Sequence, residues 1–556
     1  MNPHWSTVRR PLALILALGL TAVAAVGAPP HRAEAEPNQE RVARQGQSYQ
    51  RISGEGSSWS AGAIDAMRVN VRQFGITVDY TPSGSSAGRQ NFLNGTVDFA
   101  ASDIPFQFDP EDGSAPENPA PGSYAYIPVT AGGTAFIYNL KINGQRVTNL
   151  RLSGANVAKV FTGAITTWND PALQRDNPGL RLPARRIVPV VRSEGSGSTA
   201  QLTLWMIKQH RGIWQDYCER SGRAPACGET SFYPTIPGMI GQSGDLGVTG
   251  YVSQGFAEGA IGYVNYSYAL GSQLPVVKVL NRAGYYTEPT PENVAVALLK
   301  ARINTRPGAN FLTQNLDGVY TDNDPRNYPL SSYSYFILPT RTQGQFNEAK
   351  GRTLAAFTYY AMCQAQQQSA SLGYSPLPVN LVQASFQQIR RIPGAEVQRI
   401  NVADCDNPTF SPDGTNLLVQ NAPFPAECDR AGPTQCSTGS GGLADTPTPV
   451  DPAASGGGDD GAGGNQNGSG NGGTGPTGGS GDDSGTVCDP ETGVCTDTSG
   501  GSSEVAFATP TVLAGSQGWS SAQTLMLLVA LFFLALIFVP AFLWRRLAKD
   551  EGQEGP

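Results

Sequence analysis

The residues best placed to do chemistry are Arg192-Ser193-Glu194-Gly195-Ser196-Gly197-Ser198-Thr199, a guanidinium followed by a Gly/Ser turn that opens the helix-like stretch from 198 to 210. A helix N-terminus offers unpaired N–H groups and the positive end of the peptide dipoles, glycines let the backbone approach a ligand, and hydroxyls add short donors. Arg192 adds a fixed charge with a forked set of donors. Two further turns repeat this chemistry, Gly54-Glu55-Gly56-Ser57-Ser58-Trp59 and Gly84-Ser85-Ser86-Ala87-Gly88. Taken singly, each could be ordinary helix capping. Together the three suggest one small oxyanion held between helix ends. No Lys follows the glycines of the third turn, so it is not a nucleotide-binding P-loop. Asp103, at the end of the strand-like TVDFAAS run, would be misplaced beside an anion unless that anion carries a proton to donate. Hydrogen phosphate does so at neutral pH and sulfate does not, so Asp103 would select by leaving the wrong anion facing an unpaired repulsion.

Other chemistries have little material. Two of the three histidines, His4 and His31, fall in the first 35 residues, which leaves His210 in the rest of the chain. A Ser-His-Asp or Cys-His engine and a multi-histidine metal site are therefore not expected. We assign no catalytic residue, no metal ligand and no cofactor. The eight cysteines include no CxxC, and 38 Lys+Arg against 45 Asp+Glu argue against nucleic acid as a partner.

The elements that must position these groups lie between residues 46 and 400. Segments 76–80, 96–102, 135–140, 186–192, 260–266 and 334–339 are rich in β-branched and aromatic residues and predict strands. Segments 61–74, 198–210, 291–303 and 352–368 predict helices. This alternation implies an α/β architecture with helices on both sheet faces, and its length implies two lobes.

Outside that region, Arg9 and Arg10 precede an apolar run and Ala33-Glu34-Ala35, which predicts a signal peptide over 1–35. Residues 437–503 contain 21 Gly in 67 positions and as a flexible coil would have an end-to-end distance on the order of 45 Å, and an acidic flexible linker is expected over 437–520. Residues 525–544 are uncharged and long enough to cross a bilayer. Arg545, Arg546 and Lys549 place the tail 545–556 in the cytoplasm. The expected product is a single-pass protein of the cell membrane, its folded part extracytoplasmic. Local pairing of the cysteines predicts Cys218–Cys227, Cys428–Cys436 and Cys488–Cys495, leaving Cys363 with Cys405.

The runs YTPSGSSAGRQNFLNGTVDFAASDIPF (80–106), VFTGAITTWNDPALQRDNPGLRLPARRIVPVVRSEGSGST (160–199) and GAIGYVNYSYA (259–269) closely resemble the substrate-binding protein of phosphate-specific ABC transporters. That resemblance implies a two-lobed, type II periplasmic-binding-protein fold with the ligand in the interlobe cleft. Lobe one would comprise 46–130 and 326–400, lobe two 131–325, and 401–436 a Cys-containing extension. Carried over by position, the phosphate contacts fall on Ser58, the backbone of Trp59, Ser85 and Asp103 from lobe one, and on Arg192, Ser196, Gly197 and Ser198 from lobe two. Glu194 matches an acidic position that holds the arginine. Ser58 and Ser198 stand where the family more often has Thr, Trp59 where it has Phe, and Glu194 where it has Asp. The implied function is high-affinity binding of inorganic phosphate and its delivery, by a monomer, to an ABC permease and its ATPase. The alternative is a membrane-tethered scavenging or sensing module that feeds no transporter.

The formal charge of −7 is unevenly spread. Residues 437–520 hold ten Asp/Glu and no Lys or Arg, the first 35 residues contribute +2 and the last 36 are balanced, so the folded part, 36–436, stands at +1.

Overall fold

The structure is a computed structural model that describes residues 49–451, apart from 406 and 412–414, together with 487–488 and 495–496. The chain divides into two units, Met1–Asp460 and Gly461–Pro556. In the second, the described residues are two short antiparallel strands, Val487–Cys488 and Cys495–Thr496, with Cys488 opposite Cys495. No helix among the described residues is long and apolar enough to cross a membrane. The expected signal peptide, the membrane span at 525–544 and the cytoplasmic tail lie outside the described residues, and the expected Cys488–Cys495 bond falls on side chains outside the description.

The first unit is built on eight strands: β1 (Ile52–Gly56), β2 (Val78–Thr81), β3 (Phe99–Ser102), β4 (Tyr124–Tyr138), β5 (Val188–Arg192), β6 (Ile240–Gln242), β7 (Ala260–Asn265) and β8 (Ser331–Pro339). Their order is β2-β1-β3-β8-β4-β7-β5-β6. The long strand β4 is the pivot. Its residues 124–133 pair antiparallel with β8, while 134–138 pair antiparallel with β7. Parallel strands continue outward on each side, β3, β1 and β2 on one and β5 and β6 on the other. One strand thus serves two half-sheets, the α/β arrangement expected of a two-lobed binding protein.

The sequence reading found only the last four residues of β4, 135–138. Pro128 and Gly132-Gly133 look like strand breakers, yet each has a local reason. Pro128 lies opposite Tyr335, where the register of β8 shifts, so the ladder is already irregular at the residue that has no N–H to give. A Cβ on Gly132 would come within 2.8 Å of the Trp59 ring, so the glycine seats the indole that fixes the turn after β1.

In the second half-sheet both faces are buried. Ala135, Ile137, Val190, Ala260 and Val264 pack beneath the helix carrying Val248 and Val252, while Phe136, Tyr138, Val191, Ile261 and Tyr263 face the other way into the main core. This is the period-two pattern of a sheet covered on both sides. The helices that matter for the site are α1 (Ala61–Asn70), α2 (Ser85–Leu93), α3 (Gly197–Gln209) and α4 (Gly244–Val252). The helices expected over 291–303 and 352–368 run over Pro291–Leu298 and Glu348–Met362.

The expected disulfides Cys218–Cys227, Cys363–Cys405 and Cys428–Cys436 are formed. The linker, however, does not begin at 437. Residues 437–451 pack on the second half: Ser440 Oγ lies within 2.7 Å of the Thr148 and Val276 carbonyls, and Thr448 Oγ1 accepts from Thr148 N at 2.8 Å. A Gly/Ser/Thr composition predicts a loose chain, but here the small side chains let its backbone lie close and the hydroxyls find buried carbonyls. The preceding extension runs from one half to the other. It is tied to the first half by Cys363–Cys405 and by Asn407 Nδ2 donating to Leu377 O at 3.0 Å. It passes the segment before β8, where Arg326 lies over the Phe424 ring, and reaches the second half at the buried pair Lys278–Asp429, 2.9 Å. Asp429→Asn leaves Lys278 with only Glu288, 4.0 Å away, as an acidic partner. We expect that change to lower folding stability by roughly 1–3 kcal/mol, measured by urea unfolding. An unchanged midpoint would show that the extension is not part of the cooperative fold.

Candidate functional site

Four helix N-termini point into the space between the two halves. The turn after β1 leads through Ser57 and Ser58 into α1, Gly84 leads into α2, Ser196 caps α3 by accepting from Thr199 N at 3.3 Å, and Ser243 precedes α4. Gly84 has φ of +102°, a backbone that favours glycine, and a Cβ there would meet the Glu194 side chain at 2.8 Å. Gly197 allows the closest approach of the two walls. A Cβ on it would lie 2.5 Å from Ser85 Oγ and 2.8 Å from Asp103 Oδ2.

On the first wall Asp103 is buried just past β3. Its Oδ1 accepts from Ser57 Oγ and Ser334 Oγ, both at 2.7 Å, and its Oδ2 accepts from Ser85 Oγ at 3.3 Å. Burial raises the proton affinity of this carboxyl above its ordinary value, and the charge of Asp245 adds to the effect, against the hydrogen bonds from Ser57 and Ser334 and the pull of Arg192. One face of Asp103 is therefore saturated by serines, while the other looks toward Ser85 and Gly197.

On the second wall Arg192 ends β5, buried. Its Nη1 donates to Ser198 Oγ at 3.1 Å and to Asp245 Oδ2 at 2.8 Å, and its Nη2 reaches Ser58 Oγ of the first wall and the Glu194 carboxylate. Burial works against its charge, but the carboxylates of Asp245 and Glu194 outweigh it, so the guanidinium stays protonated. Its Nε–H is buried with no partner, a donor left for a ligand. Ser196 and Ser198 hydroxyls lie 2.8 Å apart beside it. The halves also touch directly, with Ser86 N donating to Gly195 O at 3.0 Å and Gln201 Nε2 to Asp103 O at 2.9 Å.

The structure thus brings Ser58, Ser85, Asp103, Arg192, Ser196, Gly197, Ser198 and Glu194 into one cluster. Trp59 adjoins it through its backbone, because its indole turns away to Thr134 Oγ1 at 3.2 Å. Sequence reasoning missed Ser57, Ser334 and above all Asp245, which is fully buried and tied to both Arg192 and Ser58. A signal was present: Gln242-Ser243-Gly244-Asp245 is a fourth strand–Gly/Ser turn–helix, of the same kind as the three that were recognised.

The PBP superfamily domain matches residues 40–365. The phosphate-binding protein PstS of Pasteurella multocida is 31% identical over 321 residues, which is 56% of this chain and 81% of that protein. The chain belongs to the phosphate-binding proteins of the PBP superfamily. The phosphate-binding protein PstS of Xylella fastidiosa is 28% identical over 333 residues, 60% of this chain and 83% of its own. A solved structure, the phosphate-binding protein from Stenotrophomonas maltophilia, is 19% identical with a TM-score of 0.45, covering 66% of this chain and 99% of that one.

Within this family member the pairing of Arg192 with two carboxylates is a folding constraint as well as a site. Arg192→Met leaves the buried Asp245 and the partly buried Glu194 without their cation, and we expect a loss of roughly 3–5 kcal/mol in chemical unfolding. Adding Asp245→Asn should restore part of that loss. Strictly additive losses would show that Arg192 and Asp245 are not coupled.

Proposed function

We propose that the protein captures inorganic phosphate in the cleft between its two halves and delivers it to the permease and ATPase of an ABC importer, performing no chemistry itself. The observation that supports this reading best is the meeting, across Gly197, of a half-saturated Asp103 with the donors of Arg192, Ser85, Ser196 and Ser198. Such a cradle sets several donors opposite the Asp103 carboxylate, which suits an anion that retains a proton. In this reading Ser58, the Trp59 backbone, Ser85 and Asp103 contact phosphate from lobe one (46–130 and 326–400). Arg192, Ser196, Gly197 and Ser198 contact it from lobe two (131–325), with Glu194 holding Arg192. Contacts from both lobes couple closure to ligand, and the closed pair is what a permease recognises.

Localisation follows from sequence. With residues 1–35 removed on export, the span 525–544 holds the monomer at the outer face of the membrane, and the acidic Gly-rich stretch before it keeps the binding lobes within reach of a membrane partner.

Calorimetric titration of the purified protein near neutral pH should show phosphate binding tighter than sulfate by on the order of a thousandfold or more. Equal affinities would remove the role given to Asp103. Arg192→Ala should weaken phosphate binding by about two orders of magnitude or more, and a near-normal titration would show that the turn is purely structural.

A further inference from the structure

The two halves meet a second time, away from the cluster around Arg192. On the first half the chain between β3 and β4 makes a loop fixed by α2: the buried Arg89 pairs with Glu117 at 2.8 Å, and Glu117 also accepts from Gln107 N at 2.8 Å. On the second half the chain between the helix Arg211–Arg220 and β6 is closed by Cys218–Cys227 and tied back to α3, where Thr203 Oγ1 accepts from Thr230 N at 3.1 Å. These two loops touch. Arg223 Nη2 donates to Asp112 O at 2.8 Å and lies 3.7 Å from Asp112 Oδ2, and Gly228 N donates to Glu111 O at 3.3 Å. Only a glycine fits at 228, because a Cβ there would stand 2.1 Å from that of Glu111.

Charge favours the contact. Asp109 and Glu111 of the first loop share a pocket with Lys208 and Arg211 of the second half. Burial works against ionisation of Asp112, but the Ser114 and Thr230 hydroxyls and the pull of Arg223 outweigh it, so its carboxyl is held below the ordinary value and faces Arg223 charged. One carboxyl opposes this, Glu229, which burial pushes up to about 7, so that it carries only part of a charge near neutrality. A cavity of about 390 Å³ has Ser86 and Gly195, from the edge of the Arg192 cluster, and Asp112 and Phe232, from the loops, in its lining. The two meetings of the halves are thus separate, with space between them.

We infer that Asp112 and Arg223, brought together by Gly228, are positioning residues that clasp the two halves over bound phosphate and slow its release without touching it. The inference rests on the phosphate reading above. A bond that exists only while the halves meet shifts the balance between joined and separated arrangements, and so lowers the fraction of time in which phosphate can leave. Entry is different. Phosphate arrives while the halves are apart and the clasp is unmade, so the association rate does not depend on it. A pair made in both arrangements would change stability and leave both rates alone.

The test uses the full-length protein in detergent and inorganic phosphate. Release is timed by chasing labelled phosphate with an excess of unlabelled phosphate, and affinity is read by calorimetry, so that the association rate follows from the two. Asp112→Asn keeps acceptors for Ser114 and Arg223 and removes the charge. We expect Asp112→Asn and Arg223→Met each to release phosphate roughly three- to tenfold faster, with affinity weaker by the same factor and association unchanged. The double variant should be no faster than the faster single one, since both remove one contact. Gly228→Ala should act in the same direction by keeping the loops apart. Urea unfolding checks that each variant is folded, and Asp112→Asn and Gly228→Ala carry the test if Arg223→Met is not. Unchanged release from those two, in protein that folds and binds, overturns the inference and leaves the phosphate reading standing. Slower association with unchanged release overturns it as well, because the contact would then act on entry. A double variant whose effect is the product of the two single ones overturns the pairing of Asp112 with Arg223. Absence of phosphate binding by the unaltered protein overturns the phosphate reading, and this inference with it.

Discussion

A guanidinium taken out of water at the end of β5 is the constraint around which this protein is arranged. Desolvating a charge of that size costs several kcal/mol even after relaxation, and only well-placed counter-charges and acceptors offset it. Arg192 has Glu194 two residues along its own chain, Asp245 from the start of α4, Ser198 from the start of α3 and Ser58 from the opposite half. Each partner sits at the mouth of a helix, where the backbone can turn sharply and the side chain can reach inward. The strands then have to deliver those helix starts to one place. Parallel pairing of β5 with β6 and β7 puts the ends of β5 and β6, and so Arg192 and Ser243, on the same edge of the half-sheet. Parallel pairing of β1 with β2 and β3 does the same for Ser58, Ser85 and Asp103.

The shared strand β4 converts two such edges into a cleft. Because 124–133 belong to one half-sheet and 134–138 to the other, a single strand carries both clusters of donors and sets them face to face. The same argument gives the extension after residue 400 a physical meaning. It is covalently fixed to the first half by Cys363–Cys405 and ion-paired to the second through Lys278–Asp429, so it forms a third link between halves already joined at β4 and before β8. A link of that kind holds the halves at a third place, and the packed chain continues to residue 451, past the expected start of the linker.

How much of this was legible depended on whether the signal was local. The turns before α1, α2 and α3 were readable because a strand, a Gly/Ser cluster and a helix follow one another in the sequence. Asp103 was readable because a carboxylate at the end of an apolar strand is conspicuous. Ser334 was not, since its role depends on β8 lying against β3, a pairing of segments more than two hundred residues apart. Asp245 was missed for a different reason: its turn has the same local pattern as the others, but its neighbours include no arginine, and its partner is 53 residues away. The extension was missed because composition reports what side chains can bury and is silent on what backbone carbonyls elsewhere need. Ser440 and Thr448 are held by hydroxyl–carbonyl and hydroxyl–amide bonds, which a Gly- and Ser-rich stretch is well able to make once a surface is offered to it.

Charge shows the same dependence on place. Summed over the chain it is −7, which looks unsuited to an anion, but the ten acidic residues of 437–520 dominate that total and the folded part stands near neutrality. Near-neutral lobes give little long-range attraction, so selectivity must come from the arrangement within a few ångströms of Arg192. There the balance again turns negative, with three carboxylates around one cation. A site of that composition recognises its ligand less by charge than by the match of individual protons to individual lone pairs, since every acceptor left unpaired in a buried cleft carries a desolvation cost of its own.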